Sequence, residues 1–287
     1  MILGIVLSLC AALGYGLSPV FSKFSLEKLP SSIVTVIILF FVTLISGVFA
    51  FSTSKLIYVF SYLDIFNLLC AGIFGFLALW GLYKSFSYLT VPQSVSFAQV
   101  YIFLTYILGI LFLQTKFSIL VLFIMCVVIV GIFLVFETKL SAFLSKGIFY
   151  LVLTLLGWGF YAFYLAYFNA RGLNAYYSIF FVEGTIFLVN IFLLFATHSP
   201  KKLVSYFKYQ RELGYALISA IFTFMGAYLF LISTSLISLG IATAILTIQV
   251  LVSYIFSIFA FKQRIKVAQI VGIVLICVGI SVFALLV

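Results

Sequence analysis

Charge is what this sequence has least of. Of its 287 residues only 7% are Asp, Glu, Lys or Arg, and five of these are acidic. A soluble domain carries roughly a quarter charged residues, so this chain cannot cover a water-facing surface and lipid has to be its solvent. Histidine is nearly missing: His198, beside Pro200 and Lys201, is the single one and reads as a solvated loop residue. Cys10, Cys70, Cys126 and Cys277 stand singly in apolar runs, which excludes a disulfide framework or a metal site by spacing and leaves small buried hydrophobes. There is no Walker-type phosphate loop, no pair of carboxylates on one helical face and no nucleophile with an evident base. ATP-driven transport within this chain and zinc-type hydrolysis are excluded. Neither a cofactor nor a catalytic residue is expected.

What is present is apolar sequence in long runs, 67% of the residues being hydrophobic. A transmembrane helix needs about 20 mainly apolar residues. Runs between polar punctuation predict spans over Ile2–Phe21, Ser31–Phe51, Ile65–Ser85, Pro92–Leu113, Phe117–Phe136, Gly147–Phe168, Ala175–Ala196, Gly214–Ser235, Leu239–Phe261 and Val267–Leu286. The expected fold class is therefore all-α, a polytopic membrane protein of ten transmembrane helices. Stretches such as Ile33 to Phe51 do not alternate apolar with polar, which excludes an outer-membrane barrel. The first run begins at Ile2 without a basic flank or a small-residue cleavage site, and reads as a retained span rather than a signal peptide. The net charge of +10 lies in connecting segments. It is expected to serve topology and contact with anionic headgroups, not nucleic acid.

Laid on itself at a shift of 143 to 150 residues, the chain shows a repeat that pairs five spans with five. Gly14-Tyr15-Gly16 falls on Gly157-Trp158-Gly159, Ala98-Gln99-Val100 on Ile248-Gln249-Val250, and Gly131-Ile132 on Gly279-Ile280. The units expected are residues 1–140 and 146–287. An odd number of spans per unit forces the second copy to insert upside down. Inverted repeats enclosing a midplane site are a carrier arrangement.

These residues resemble the drug/metabolite transporter superfamily, in particular its ten-helix EamA-type members. The likeness rests on the Gly-aromatic-Gly of each half, with Pro19 and Lys23 after the first. It rests also on Leu82-Tyr83-Lys84-Ser85 running into Val91-Pro92, and on Phe112-Leu113-Gln114-Thr115-Lys116 then Gly131, echoed by Phe261-Lys262-Gln263-Arg264 then Gly279. Family members usually carry Glu after the fourth helix of each repeat, where this chain has Thr115 and Gln263. The resemblance implies a central cavity lined by the first, third and fourth helices of each half, with the fifth helices outside it or at a dimer contact. A homodimer is a possible assembly on that ground.

Several residues are candidates for the mechanism. Glu183 lies about midway along the seventh span, with Tyr176 and Asn190 on its face. An ionised carboxylate there must be paired, hydrated or protonated, which makes it the proton-coupling candidate. Lys84 shares a face with Trp80, Tyr83 and Ser87, an arrangement able to bind a carboxylate among rings, or simply to snorkel to the headgroups. Trp158, Tyr161 and Tyr164 lie beside Gly157 and Gly159; with Tyr15, Ser18, Trp80 and Tyr83 they are candidates for an aromatic-lined pocket. In a chain that is 20% aromatic, ordinary packing explains such rings equally well. Gln99 and Gln249 occupy equivalent spans, with Ser96 and Ser253 on their faces, and as amides in lipid must point inward.

The expectation is a secondary carrier in the plasma membrane for a small organic metabolite such as an amino acid, working by alternating access and coupled to protons through Glu183. The alternatives are a carrier of quaternary ammonium or drug-like cations, and a non-transporting lipid-modifying enzyme or assembly partner with a tightly packed centre. Loops after odd-numbered spans hold eleven Lys and Arg residues (Lys23, Lys28, Lys139, Lys146, Lys201, Lys202, Lys208, Arg211, Lys262, Arg264, Lys266), against Lys55, Lys116 and Arg171 after even ones. The positive-inside rule then places both termini outside, whereas the resemblance implies cytoplasmic termini.

Overall fold

The computed structural model describes residues 1–53, 58–112, 118–136, 146–197, 199–237, 239–262 and 266–286. Its helices are α1 (Ile2–Ser25), α2 (Ser31–Thr53), α3 (Tyr62–Ser85), α4 (Val91–Ala98), α5 (Tyr101–Phe112), α6 (Ile119–Val135), α7 (Lys146–Ala170), α8 (Ala175–Thr197), α9 (Pro200–Ser205), α10 (Gln210–Leu236), α11 (Leu239–Leu246), α12 (Ile248–Phe261) and α13 (Val267–Leu286). Counting α4–α5 and α11–α12 as one broken span each gives the ten crossings expected from the apolar runs. The short α9 and a 3-10 turn over Tyr206–Lys208 occupy what reads in the sequence as loop.

Local sequence explains the helix starts. Ser61 and Asp64 form a reciprocal capping box at the head of α3, and Thr90 and Gln93 form another at the head of α4, where Pro92 sits in the first turn and needs no amide partner. The two breaks carry no proline. At Gln99–Val100 the chain tightens into i→i−3 bonds, Val100 N to Phe97 O at 3.0 Å and Phe103 N to Val100 O at 3.0 Å; Val250 N to Thr247 O at 3.1 Å does the same in the second half. Short 3-10 stretches inside a helix mark hinges or strain, and here they fall in corresponding spans. The second break is pinned to α13 by Thr247 Oγ1, 3.0 Å from Ser281 Oγ.

Partners are exchanged between the halves. Helix α1 lies along α10, and its counterpart α7 lies along α3; α2 packs on α8, and α6 on α13. Swapping the halves maps this set of pairs onto itself, as two inverted five-helix repeats require. The Gly-aromatic-Gly motifs show how the backbones come so close. A Cβ on Gly14 would stand 2.7 Å from Phe222 O of α10, and one on Gly157 2.5 Å from Phe74 O of α3. The second glycine of each motif faces the broken span of the opposite half. A Cβ on Gly16 would meet Gln249 O at 2.8 Å, and one on Gly159 would meet the Leu104 side chain at 2.5 Å. The fifth helices, α6 and α13, pack on each other within the chain, backbone against backbone at Gly131 and Gly272.

Val20, Leu82, Tyr83, Phe86, Leu89, Val91, Val95, Leu151, Ala216, Ala220 and Tyr254 are buried in one cluster joining α1, α3, α4, α7, α10 and α12 at the lysine-rich end. Lys23 adds a tie there, its Nζ donating to Leu89 O at 3.3 Å and lying 5.5 Å from the Phe261 ring centre. Phe24 stacks obliquely on Phe261 at 4.8 Å and on Tyr215 at 5.1 Å. The same cluster continues towards the termini through Phe103 and Tyr106, which meet Phe283 edge-on, and a second cluster with Tyr177, Val182 and Ile186 joins α2, α3, α7 and α8.

Candidate functional site

At mid-depth the two halves meet through polar groups. Gln249 Nε2 donates to Gln99 Oε1 at 3.2 Å, so one hydrogen bond joins the equivalent amides of the two broken spans. Both sit near the midpoints of their spans, as do Tyr15 on α1 and Trp158 on α7. The Trp158 ring stands edge-on to Tyr101 of α5, with centroids 5.7 Å apart. The Tyr15 ring lies across Gly226 of α10, where a Cβ would be 2.8 Å from it.

Glu183 enters from α8, a turn nearer the termini. Its Oε1 accepts a hydrogen bond from Tyr161 OH at 2.7 Å. Tyr15, Tyr83 and Tyr161 lie within electrostatic reach of the carboxylate, and Tyr101 within reach of Tyr15 and Tyr161. The other carboxylate oxygen has no partner among the described residues and is not walled off from open space. Tyr15, Tyr101, Trp158, Tyr161, Glu183 and Gln249 are all half-buried, although each sits deep along its span. These residues gather near mid-depth, where the two halves meet. Gly75 on α3 lets Ile186 of α8 come in close, and the Tyr161 ring lies beside the same glycine, 3.5 Å from where a Cβ would stand.

The remaining sequence candidates go elsewhere. Ser18 is buried in a seam of hydroxyls, 2.9 Å from Ser219 Oγ and 2.7 Å from Thr223 Oγ1. Ser22 continues this seam, 2.7 Å from Ser219 Oγ and donating to Tyr83 OH at 3.4 Å, so Tyr83 belongs to the closed end. Trp80 packs edge-on against Tyr150 at 5.3 Å and beside Phe76, about 10 Å beyond the midpoint of α3 at 1.5 Å per residue. Lys84 lies half-buried in the last turn of α3. The structure therefore does not bring Trp80 and Lys84 to the Glu183 group, since a helical face shared with Tyr83 did not specify which neighbour that face would meet. Asn190 is turned back onto its own helix, donating to Ile186 O at 2.8 Å. His198, Thr115 and Gln263 lie outside the described residues. Tyr101 is the ring that sequence reasoning passed over; among 18 tyrosines its only signal was standing two residues after Gln99.

Inverted five-helix units, swapped partners and polar groups gathered at mid-depth define a polytopic membrane transporter. The chain belongs to the EamA-like transporter family, whose sequence pattern matches residues 2–137 and 145–285. No curated protein matches it.

Proposed function

We propose that this chain is a secondary carrier that moves a small organic solute through the chamber between its halves by alternating access. The observation that supports this most directly is the half-buried set Tyr15, Tyr101, Trp158, Tyr161 and Glu183 beside the Gln99–Gln249 pair. A protein that only packs against partners has no use for a carboxylate left open at mid-depth, which costs several kcal/mol unless something neutralises it. The tightened turns at Gln99–Val100 and Thr247 are the places where the broken spans can bend as the closed end exchanges with the open one.

Glu183 is the coupling group in this reading, holding a proton in one half of the cycle and releasing it in the other. By charge bias the lysine-rich end is cytoplasmic, and the membrane is the plasma membrane. The test is flux in proteoliposomes. Purified protein should accumulate or exchange members of a metabolite and drug panel without ATP, driven by a pH gradient. The Glu183→Gln variant should lose gradient-driven accumulation by at least tenfold while still exchanging solute. Absence of any flux across a broad panel in protein shown to be folded would overturn the carrier reading.

A further inference from the structure

We propose that the segment joining α8 to α10 is an anchor lying in the plane of the membrane surface: Val204 and Phe207 enter the acyl layer, while Lys208 and Arg211 hold the phosphate of an anionic phospholipid. Such an anchor does not depend on whether the chain carries a solute.

Helix α8 ends at Thr197 and α10 starts at Gln210, and both are long and apolar enough to cross a bilayer. The residues between them therefore sit where hydrocarbon gives way to headgroups. They are ordered into helical turns. Helix α9 runs from Pro200 to Ser205, and the 3-10 turn over Tyr206–Lys208 continues it as far as the corner at Tyr209. Leu203 N donates to Ser199 O at 3.1 Å and Tyr209 N to Tyr206 O at 3.0 Å, and Gln210 Nε2 donates back to Phe207 O at 2.6 Å.

In so tight a stretch, residues three apart share a side. One row, Leu203 and Tyr206, is half-buried, and Tyr206 packs with Tyr209 against the main core cluster. The next row, Val204 and Phe207, is 67% and 65% exposed. The third, Ser205 and Lys208, is exposed and polar. One row for the protein, one apolar and one cationic is the pattern of a helix that lies in the interface. At the bilayer boundary, acyl chains are the apolar phase within reach of Val204 and Phe207.

Charge supplies the occupant. Residues 199–213 carry Lys201, Lys202, Lys208 and Arg211 against the single acid Glu212. The Lys208 ammonium lies 4.9 Å from the centre of the Tyr209 ring and has no hydrogen-bond or ion-pair partner among the described residues. Arg211 donates Nε to Tyr215 OH at 3.0 Å, with its guanidinium 5.5 Å from that ring; its direction is fixed while both terminal nitrogens stay available. Glu27 and Glu212 act on Arg211 electrostatically, but neither forms an ion pair with it. A steadied guanidinium and an unpaired ammonium beside two lipid-facing side chains fit a headgroup whose phosphate is not offset by a cation of its own, as in phosphatidylglycerol. The equivalent connection of the first half, residues 54–61 between α2 and α3, carries Lys55 alone. The anchor therefore belongs to one half of the repeat.

Lipid binding can be counted on the full chain in detergent by native mass spectrometry. Phosphatidylglycerol should be retained about tenfold more tightly than phosphatidylcholine, and Lys208→Gln combined with Arg211→Gln should weaken it by about tenfold or more, each base near the headgroups being worth about fivefold. Lys28→Gln combined with Lys146→Gln, exposed bases of the same end, should change it by about twofold at most, and inorganic phosphate should not displace the lipid. Insertion is read in nanodiscs of phosphatidylcholine and phosphatidylglycerol. The fluorescence that Phe207→Trp adds to that of Trp80 and Trp158 should be quenched by lipids brominated just below the glycerol and shielded from aqueous iodide. Thermal melts establish folding; should either variant fail, Lys208→Gln alone and Val204→Trp give the same readouts. Equal retention of phosphatidylglycerol by the wild type and the Lys208/Arg211 variant would overturn the proposal. So would an equal loss in the Lys28/Lys146 variant, which would assign binding to the diffuse charge of that end, or displacement by inorganic phosphate, which would make it a site for free anions. A new tryptophan quenched from water and untouched by brominated lipid would overturn the in-plane placement and the proposal with it.

Discussion

The α1–α10 seam and the α7–α3 seam occupy equivalent places in the two halves, yet they are held by different chemistry. Both are built on the same backbone device, a glycine of the Gly-aromatic-Gly motif pressed onto the opposite helix, Gly14 on α10 and Gly157 on α3. Around that device the α1–α10 seam is a run of hydroxyls, Ser18, Ser22, Ser219 and Thr223. The α7–α3 seam offers one, Thr154, which donates to Ala78 O across the seam at 3.2 Å and to Tyr150 O of its own helix at 3.0 Å. At its far end Arg171 lies 3.5 Å from Asp64 at an exposed position. A second difference follows the first. Counted from the helix start, the counterpart of Glu183 in α2 is Leu39, a buried core residue. Geometry was kept and chemistry diverged, so the acid is carried by one half only.

The comparison can be broken at its shared element first. Gly14→Leu and Gly157→Leu should each cost about 3 kcal/mol or more by forcing the helices apart, seen as loss of a monodisperse peak on size exclusion; Gly214→Ala, where nothing lies within 4 Å, should leave the melting temperature unchanged or slightly raised. Tolerance at Gly157 with collapse at Gly14 would show that only one crossing is tight. The hydroxyl difference should be smaller. Ser219→Ala removes contacts to Ser18 Oγ, Ser22 Oγ and Ser18 O and should cost about 1–2 kcal/mol, against about 0.5 kcal/mol for Thr154→Ala, as a difference in thermal midpoint in detergent. Asp64→Ala should cost about 1 kcal/mol through the lost capping box of α3, whereas Arg171→Gln, at an exposed position, should leave the midpoint unmoved.

The ten crossings were legible because apolar runs of span length have few other readings in so sparsely charged a chain, and the caps at Ser61 and Thr90 follow from local chemistry alone. The breaks were not legible: Gln99 and Thr247 sit in apolar surroundings without proline, and what tightens the chain there is its neighbours. Glu183 stood out because an acid inside a span is rare. Gln99 and Gln249 stood out by repeating, and the structure joins them. Trp80 and Lys84 illustrate the limit. The periodicity of α3 places them on one face, but the pairing of α3 with α7 decides that Trp80 meets Tyr150, and that pairing depends on glycines whose partners lie some 80 residues away. Which loops are cytoplasmic is decided by tagging each terminus and testing its accessibility in intact cells; the charge bias expects both to be reached from outside.

The interleaving of α1 with α10 and of α7 with α3 has a consequence for how such a chain could come into being. Neither five-helix unit owns a finished interior, since each lends its opening helix to the other and receives one back. A single ancestral unit would have been serviceable only when membranes held copies facing both ways, so that two could clasp. Joining them in one gene removed the need for chance pairing, and released each copy to change its side chains without the other following.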